Sequence, residues 1–114
     1  MITIWHNPRC SKSRQTLALI EAGGQACTVR KYLEDVPSQA ELAAAFQALG
    51  IAQVTQMMRC GEAAFRDSGL SADSLRGDLF DLMQRHPIVI ERPIVFRGVR
   101  AVIGRPPEAV QPLL

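Results

Sequence analysis

The residue most suited to chemistry in this sequence is Cys10, which lies between a short apolar segment and an amphipathic one. Residues 1–5 predict a buried strand, and a helix is predicted to begin at Ser13. The free N–H groups and the positive dipole end of that helix would point at the Cys10 sulfur. This environment favours the nucleophilic thiolate, and the same helix end could bind an anion. We therefore predict a reactive cysteine in an anion-binding loop.

The neighbours of Cys10 support this interpretation. Arg9, Lys12 and Arg14 add positive charge, and His6 lies four residues upstream. Cationic groups stabilise a thiolate, whereas inert cysteines usually sit in apolar surroundings. The alternative, a structural cysteine in a surface loop, is therefore the weaker interpretation.

Several other cysteine chemistries are excluded by the residue types around Cys10. A dithiol motif would need a second cysteine at position 13, which is Ser13, so any partner thiol must come from elsewhere. A tyrosine-phosphatase loop would need arginine at position 16, which is Thr16. The chain contains only two histidines, so a zinc site built on His6 and Cys10 is not expected. Cys27 is expected in the core. Cys60 is interpreted as incidental, with a resolving role as the alternative.

The basic residues divide unevenly into 11 arginines and two lysines, and the net charge is only +2. This balance argues against a surface that coats nucleic acid. Arginine offers a planar fork that matches oxyanions, so a few of these arginines could form a site. Arg92 precedes Pro93 and an apolar strand, where a cis peptide bond is expected to hold Arg92 close to Cys10, and Arg105 precedes two further prolines. Both could lie near Cys10.

The order of predicted elements is β-α-β, several helices, a β-hairpin around Gly98 and a final helix after Gly104. A β-α-β start predicts a parallel strand pair with a right-handed crossover. We therefore predict one α/β domain over residues 1–114. Its fold would be thioredoxin-like, a four-stranded mixed sheet flanked by helices, with a helical insertion before the C-terminal hairpin. Within the insertion, Ser38 and Glu41 form a predicted capping box. A helix over 72–85, capped at Ser71, would bury Leu75, and residues 87–90 would be extended.

Composition narrows the setting. At 47% hydrophobic and 21% charged residues the chain matches an ordinary globular domain. No apolar stretch reaches the ~18 residues of a membrane span, and the N-terminal segment does not resemble a secretory signal. Three scattered cysteines do not form a disulfide scaffold. We therefore expect a cytoplasmic monomer with reduced thiols that binds neither nucleic acid nor membrane.

Three segments resemble those of the glutaredoxin-dependent arsenate reductase family (ArsC-like). They are residues 4–17 (Ile-Trp-His-Asn-Pro-Arg-Cys-Ser-Lys-Ser-Arg-Gln-Thr-Leu), residues 86–95 (His-Pro-Ile-Val-Ile-Glu-Arg-Pro-Ile-Val) and residues 104–108 (Gly-Arg-Pro-Pro-Glu). The resemblance covers nearly the whole chain. The residues from Arg9 to Ser13 are most similar to the short YfgD-like branch, because plasmid-type members carry a small residue at position 9 and Gly-Thr at positions 11 and 12.

The resemblance implies a site and a reaction. Cys10 would attack the arsenic of arsenate, and Arg59, Arg92 and Arg105 would bind the oxyanion. His6 and the loop residues Asn7 and Ser13 would help to activate the thiol. No cofactor would be bound. Glutathione would be the co-substrate, and glutaredoxin, or alternatively thioredoxin, would be the protein partner.

Two alternatives remain open at this point. A Spx-type transcriptional regulator shares the fold and binds RNA polymerase, although most members carry the Cys-x-x-Cys switch that Ser13 interrupts. A general thiol oxidoreductase, acting on glutathionylated or other thiol substrates, would also use Cys10.

Overall fold

A computed structural model describes residues 1–114 and contains one four-stranded sheet. Its strands are β1 (Ile2–Trp5), β2 (Cys27–Arg30), β3 (Ile94–Arg97) and β4 (Arg100–Ile103), in the spatial order β2-β1-β3-β4. β1 pairs in parallel with β2 and antiparallel with β3, and β3 pairs antiparallel with β4. Gly98, with φ of 61°, turns the hairpin between β3 and β4. This mixed sheet confirms the predicted thioredoxin-like fold class.

The sheet belongs to a compact unit built from residues 1–35 and 92–114. Helix α1 (Ser11–Ala22) and a C-terminal 3₁₀ helix (Pro107–Leu113) pack together in this unit. Their buried side chains form one core with the central strands, made of Ile2, Ile4, Ile20, Val95, Val110 and Leu113. Burial of apolar area of this kind, about 25 cal/mol per Å², holds α1 on the sheet.

Residues 36–91 form a second compact unit, the predicted helical insertion. It contains α2 (Gln39–Leu49), α3 (Ala63–Ser68), α4 (Arg76–Arg85) and 3₁₀ segments at Val54–Met57 and Pro87–Val89. The predicted capping box is present: Glu41 N–H donates to Ser38 Oγ, and Ser38 N–H donates to Glu41 Oε1. The assignment of both units to one domain stays a prediction.

Two predicted helix starts differ from the structure. Helix α1 begins at Ser11 instead of Ser13, so Cys10 itself occupies the N-cap position. Helix α4 begins only at Arg76, and Leu75 is exposed instead of buried. The reason is local: the hydroxyls of Ser71 and Ser74 accept hydrogen bonds from nearby backbone N–H groups and so form a turn that competes with a helix.

Two predicted conformations also differ from the structure, and both differences involve proline. Residues 87–89 are helical instead of extended, because Pro87 suits the first position of a helical turn. The final helix has 3₁₀ geometry and contains Pro112. None of the helices in residues 1–114 combines the length and the hydropathy that a membrane span requires.

Candidate active site

The loop between β1 and α1 holds Cys10 at the start of the helix. The Cys10 N–H donates to the Asn7 carbonyl at 3.0 Å, and the Cys10 carbonyl accepts from Arg14 N–H at 3.0 Å. The backbone of Cys10 is extended (φ −94°, ψ 122°), as is usual for a residue that precedes a helix. The first helical N–H groups therefore surround a half-buried sulfur, as the sequence predicted.

Ser13 fixes the conformation of this loop from inside the protein. Its side chain is fully buried, and Oγ lies 2.7 Å from His6 Nδ1 and accepts from Asn7 N–H at 3.0 Å. Burial lowers the pKa of His6, and the charges of Lys31 and Arg14 lower it further, so the ring is neutral at neutral pH. The three predicted loop residues are thus brought together. Their effect on the thiol stays a prediction. In this geometry they would act by holding Ser13, whose backbone N–H stabilises the thiolate.

The surroundings of the sulfur lower the pKa of Cys10 below that of an ordinary thiol. Partial burial alone would raise this pKa, but the Ser13 backbone N–H, the Arg92 side chain and the Lys12 backbone N–H together outweigh it. Each of these groups carries positive charge or a donor hydrogen and so stabilises the thiolate. The site therefore presents an activated nucleophile.

Arg105 approaches the same sulfur from the segment after β4. Its Nη1 lies 3.7 Å from Cys10 Sγ and donates to the Arg92 carbonyl at 3.2 Å. Arg92 precedes β3, and its guanidinium also interacts with Cys10. Both Arg92–Pro93, as predicted, and Arg105–Pro106 are cis peptide bonds. Two of the three predicted arginines therefore converge on the thiol.

Gly104 and Thr16 hold the Arg105 segment against α1. The Thr16 hydroxyl hydrogen is shared between the Lys12 carbonyl at 2.8 Å and the Gly104 carbonyl at 3.2 Å, and Gly104 N–H donates to the Pro93 carbonyl at 2.9 Å. A Cβ at position 104 would lie 2.7 Å from Thr16 Oγ1 and 2.9 Å from Pro93 Cγ, which is too close for any side chain. Only glycine therefore fits at position 104 without a steric clash. Thr16, considered in the sequence only as a residue that breaks another motif, has this positioning role.

Comparison with known proteins identifies the family of the chain. The family model described as "ArsC family" matches residues 5–113, almost the whole chain. The chain belongs to the ArsC family. An arsenate reductase of Haemophilus influenzae is 43% identical over 114 residues, which cover 99% of this chain and 98% of that protein. The protein YfgD of Escherichia coli K12 is 40% identical over 110 residues, covering 96% and 92%. A solved structure of an arsenate reductase from Vibrio cholerae superposes with a TM-score of 0.96 at 47% identity, covering 99% of this chain and 97% of that one.

The third predicted arginine of this ArsC-family chain lies in the other compact unit. Arg59 forms ion pairs with Glu62 and Glu91, each at 3.3 Å. Burial would lower the pKa of Arg59, but these two carboxylates raise it, so the guanidinium is firmly cationic. Its binding of an oxyanion stays a prediction.

The other two cysteines of this ArsC-family chain differ from Cys10. All three thiols are free. Burial raises the pKa of Cys27, which packs partly against the core as predicted. Partial burial of the sulfur and the Glu91 carboxylate raise the pKa of Cys60. Neither has the activated environment that Cys10 has, and no cluster of three or more His, Cys, Asp or Glu side chains could hold a metal ion.

The sequence did not single out Tyr32, the only tyrosine, whose neighbours include Asn7, Cys10 and Arg92. Strand β2 ends at Arg30, and Tyr32 begins the following turn and is fully buried. The available signal was topological: Tyr32 follows a strand parallel to β1, so it emerges at the same sheet edge as the Cys10 loop.

The pKa difference between Cys10 and Cys60 predicts different alkylation profiles within one protein. Cys10 should react with iodoacetamide with a pH inflection below that of an ordinary thiol, ~8.5, because only the thiolate reacts. Cys60 should show its inflection above that value. Peptide mass spectrometry after timed alkylation between pH 5 and 10 measures both sites in one sample. Equal inflections at the two cysteines would contradict the proposed environment of Cys10.

Proposed function

We propose that this protein is an arsenate reductase that reduces arsenate to arsenite, with glutathione and glutaredoxin as the external reductants. The observation that carries this proposal is the approach of Arg105 Nη1 to within 3.7 Å of Cys10 Sγ, with Arg92 beside them. The arsenate reductases of Haemophilus influenzae and Vibrio cholerae support it through their full-length similarity to this chain.

The arginines answer an electrostatic problem. Arsenate carries about two negative charges at neutral pH, so an approaching thiolate is repelled: at 4 Å, two unit charges interact by about 4 kcal/mol at an effective dielectric of 20. Guanidinium groups neutralise the anion through charge-assisted, forked hydrogen bonds. Placed beside the nucleophile, Arg92 and Arg105 would bind the substrate and lower the barrier to attack.

In the first step the Cys10 thiolate attacks As(V). A sulfur–arsenic bond forms, an arsenic–oxygen bond breaks, and the oxygen leaves as hydroxide or water once protonated. The oxidation state of arsenic is unchanged at this point. The Ser13 and Lys12 N–H groups stabilise the attacking thiolate, and the arginines hold the anion in line with it.

In the second step the glutathione thiolate attacks the Cys10 sulfur of the adduct. The sulfur–arsenic electron pair passes to arsenic, which leaves as arsenite, and Cys10 is left in a mixed disulfide with glutathione. A glutaredoxin thiol then attacks the glutathione sulfur and releases the Cys10 thiolate. Ser13 occupies the position where a local resolving thiol would lie, which suits a mechanism with external thiols.

A coupled assay tests the proposal. Arsenate-dependent oxidation of NADPH should require the protein, glutathione, glutaredoxin and glutathione reductase together, and omission of any one should remove it. Replacing glutaredoxin by thioredoxin and its reductase identifies the donor. NADPH oxidation with a glutathionylated substrate but none with arsenate would reject the arsenate assignment in favour of a general thiol oxidoreductase.

A further inference from the structure

Tyr32 lies at the edge of the sheet where the active-site loop begins. In the parallel pair, Trp5 is opposite Arg30, and His6 N–H donates to the Arg30 carbonyl at 2.8 Å just beyond the strands. Asn7 and Tyr32 each follow these paired residues by two positions, and the Asn7 side chain is a neighbour of the Tyr32 phenol. The tyrosine side chain has no exposed area, so its phenol is enclosed within this part of the fold.

The Tyr32 hydroxyl is a buried polar group that makes no hydrogen bond of acceptable geometry within the protein. Leaving a buried donor unsatisfied costs about 1–3 kcal/mol, so such groups call for an explanation. The side chains of Arg92 and Asn7 face the phenol oxygen as donors, and the charges of Arg92 and Cys10 also act on it; all three residues belong to the active site.

The phenol is a donor throughout the working pH range. Burial raises the pKa of Tyr32, and although Arg92 and Asn7 oppose this effect, the Cys10 charge adds to it. The O–H group therefore stays protonated next to a cationic site. A neutral donor placed among cations suits an anion acceptor, because it adds a hydrogen bond without adding charge.

We propose that the Tyr32 hydroxyl is a substrate-binding group of this site and donates a hydrogen bond to the oxyanion held by Arg92 and Arg105. This inference rests on the proposed function, since it takes the bound anion to be arsenate or a similar tetrahedral oxyanion. The bound oxygen supplies the acceptor that the buried hydroxyl otherwise lacks. Tyr32 thus belongs to the binding site, together with the two arginines.

The variant Tyr32→Phe tests this role, because it removes only the hydroxyl. Anion affinity is measured as the protection of Cys10 from iodoacetamide by inorganic arsenate and by sulfate. We expect about a tenfold weaker affinity for both anions and a matching rise in KM for arsenate, from the loss of one hydrogen bond to a charged group. The midpoint of urea unfolding without anion should be unchanged or higher, since an unsatisfied buried hydroxyl is removed.

A merely structural hydroxyl predicts the opposite pattern. It would lower the unfolding midpoint and move the pH inflection of Cys10 alkylation upward, as the loop loosens. Wild-type anion affinity in Tyr32→Phe would overturn the inference, and so would failure of both anions to protect Cys10 in the wild type. If sulfate and arsenate protect Cys10 but arsenate is not reduced, the proposed function fails while the role of Tyr32 is still decided by the variant.

Discussion

Replacing Cys10 by serine should abolish arsenate reduction, with a loss of at least about 10⁴-fold in turnover. A serine hydroxyl stays protonated at neutral pH, and its oxygen cannot form the disulfide with glutathione through which the sulfur–arsenic electron pair passes to arsenic. The helix N-terminus and Arg92 lower the pKa of the Cys10 thiol, but such groups cannot make an alcohol ionise at neutral pH. The coupled NADPH assay measures the loss directly.

The matched control is Cys60→Ser, because Cys60 is exposed and has a raised pKa. This variant should keep wild-type turnover if Cys60 takes no part in the cycle. Loss of activity in Cys60→Ser would instead establish the alternative left open by the sequence, a resolving role for this thiol. Both serine variants should unfold within about 1 kcal/mol of the wild type, since each changes one atom at a position that is not fully buried.

The local part of the site was predictable because neighbouring residues create it. Cys10 lies within three residues of both Asn7 and Ser13, and any chain that passes from a buried strand through Pro8 into a helix must place a helix N-terminus near that sulfur. The exact start of α1 was missed by two residues because the sequence shows a polar run there, in which Ser11 and Ser13 are equally good starting points. The predicted environment of the thiol is unchanged by this shift, because the first N–H groups of the helix surround Cys10 in either case.

The distant part of the site depends on the sheet. Arg105 reaches a sulfur 95 positions away in sequence, and only the order β2-β1-β3-β4 brings the segments before β3 and after β4 to the end of β1. No local sequence pattern determines that strand order. The hairpin and the β-α-β unit limit the possible orders, and the resemblance to a known family indicated which arginines meet Cys10. Leu75 shows that a local pattern can also mislead. Its helical spacing predicts a buried side chain, but it lies before the start of α4 and is exposed.

Replacing Arg92 by alanine should lower kcat/KM for arsenate by about 10² to 10³-fold. Arg92 acts twice: it lowers the pKa of Cys10, and it is proposed to bind the anion. The variant should therefore also move the pH inflection of Cys10 alkylation upward, because a cation that favours the thiolate is lost. Arg92→Lys should recover part of the pKa effect but less of the affinity, since lysine keeps the charge without the planar fork.

The two actions of Arg92 can be separated by pH. Above the inflections of both proteins Cys10 is fully ionised in each, so any difference in kcat/KM that remains there reports the anion alone. Arg100→Ala is the matched control, because Arg100 is exposed in β4 of the same unit. Arg97 is less suitable: it donates to the Leu113 carbonyl at 2.7 Å, and its loss would disturb the C-terminal helix. If the deficit of Arg92→Ala vanished at high pH, Arg92 would serve only to activate the thiol. The oxyanion would then be held by other groups, Arg105 first among them.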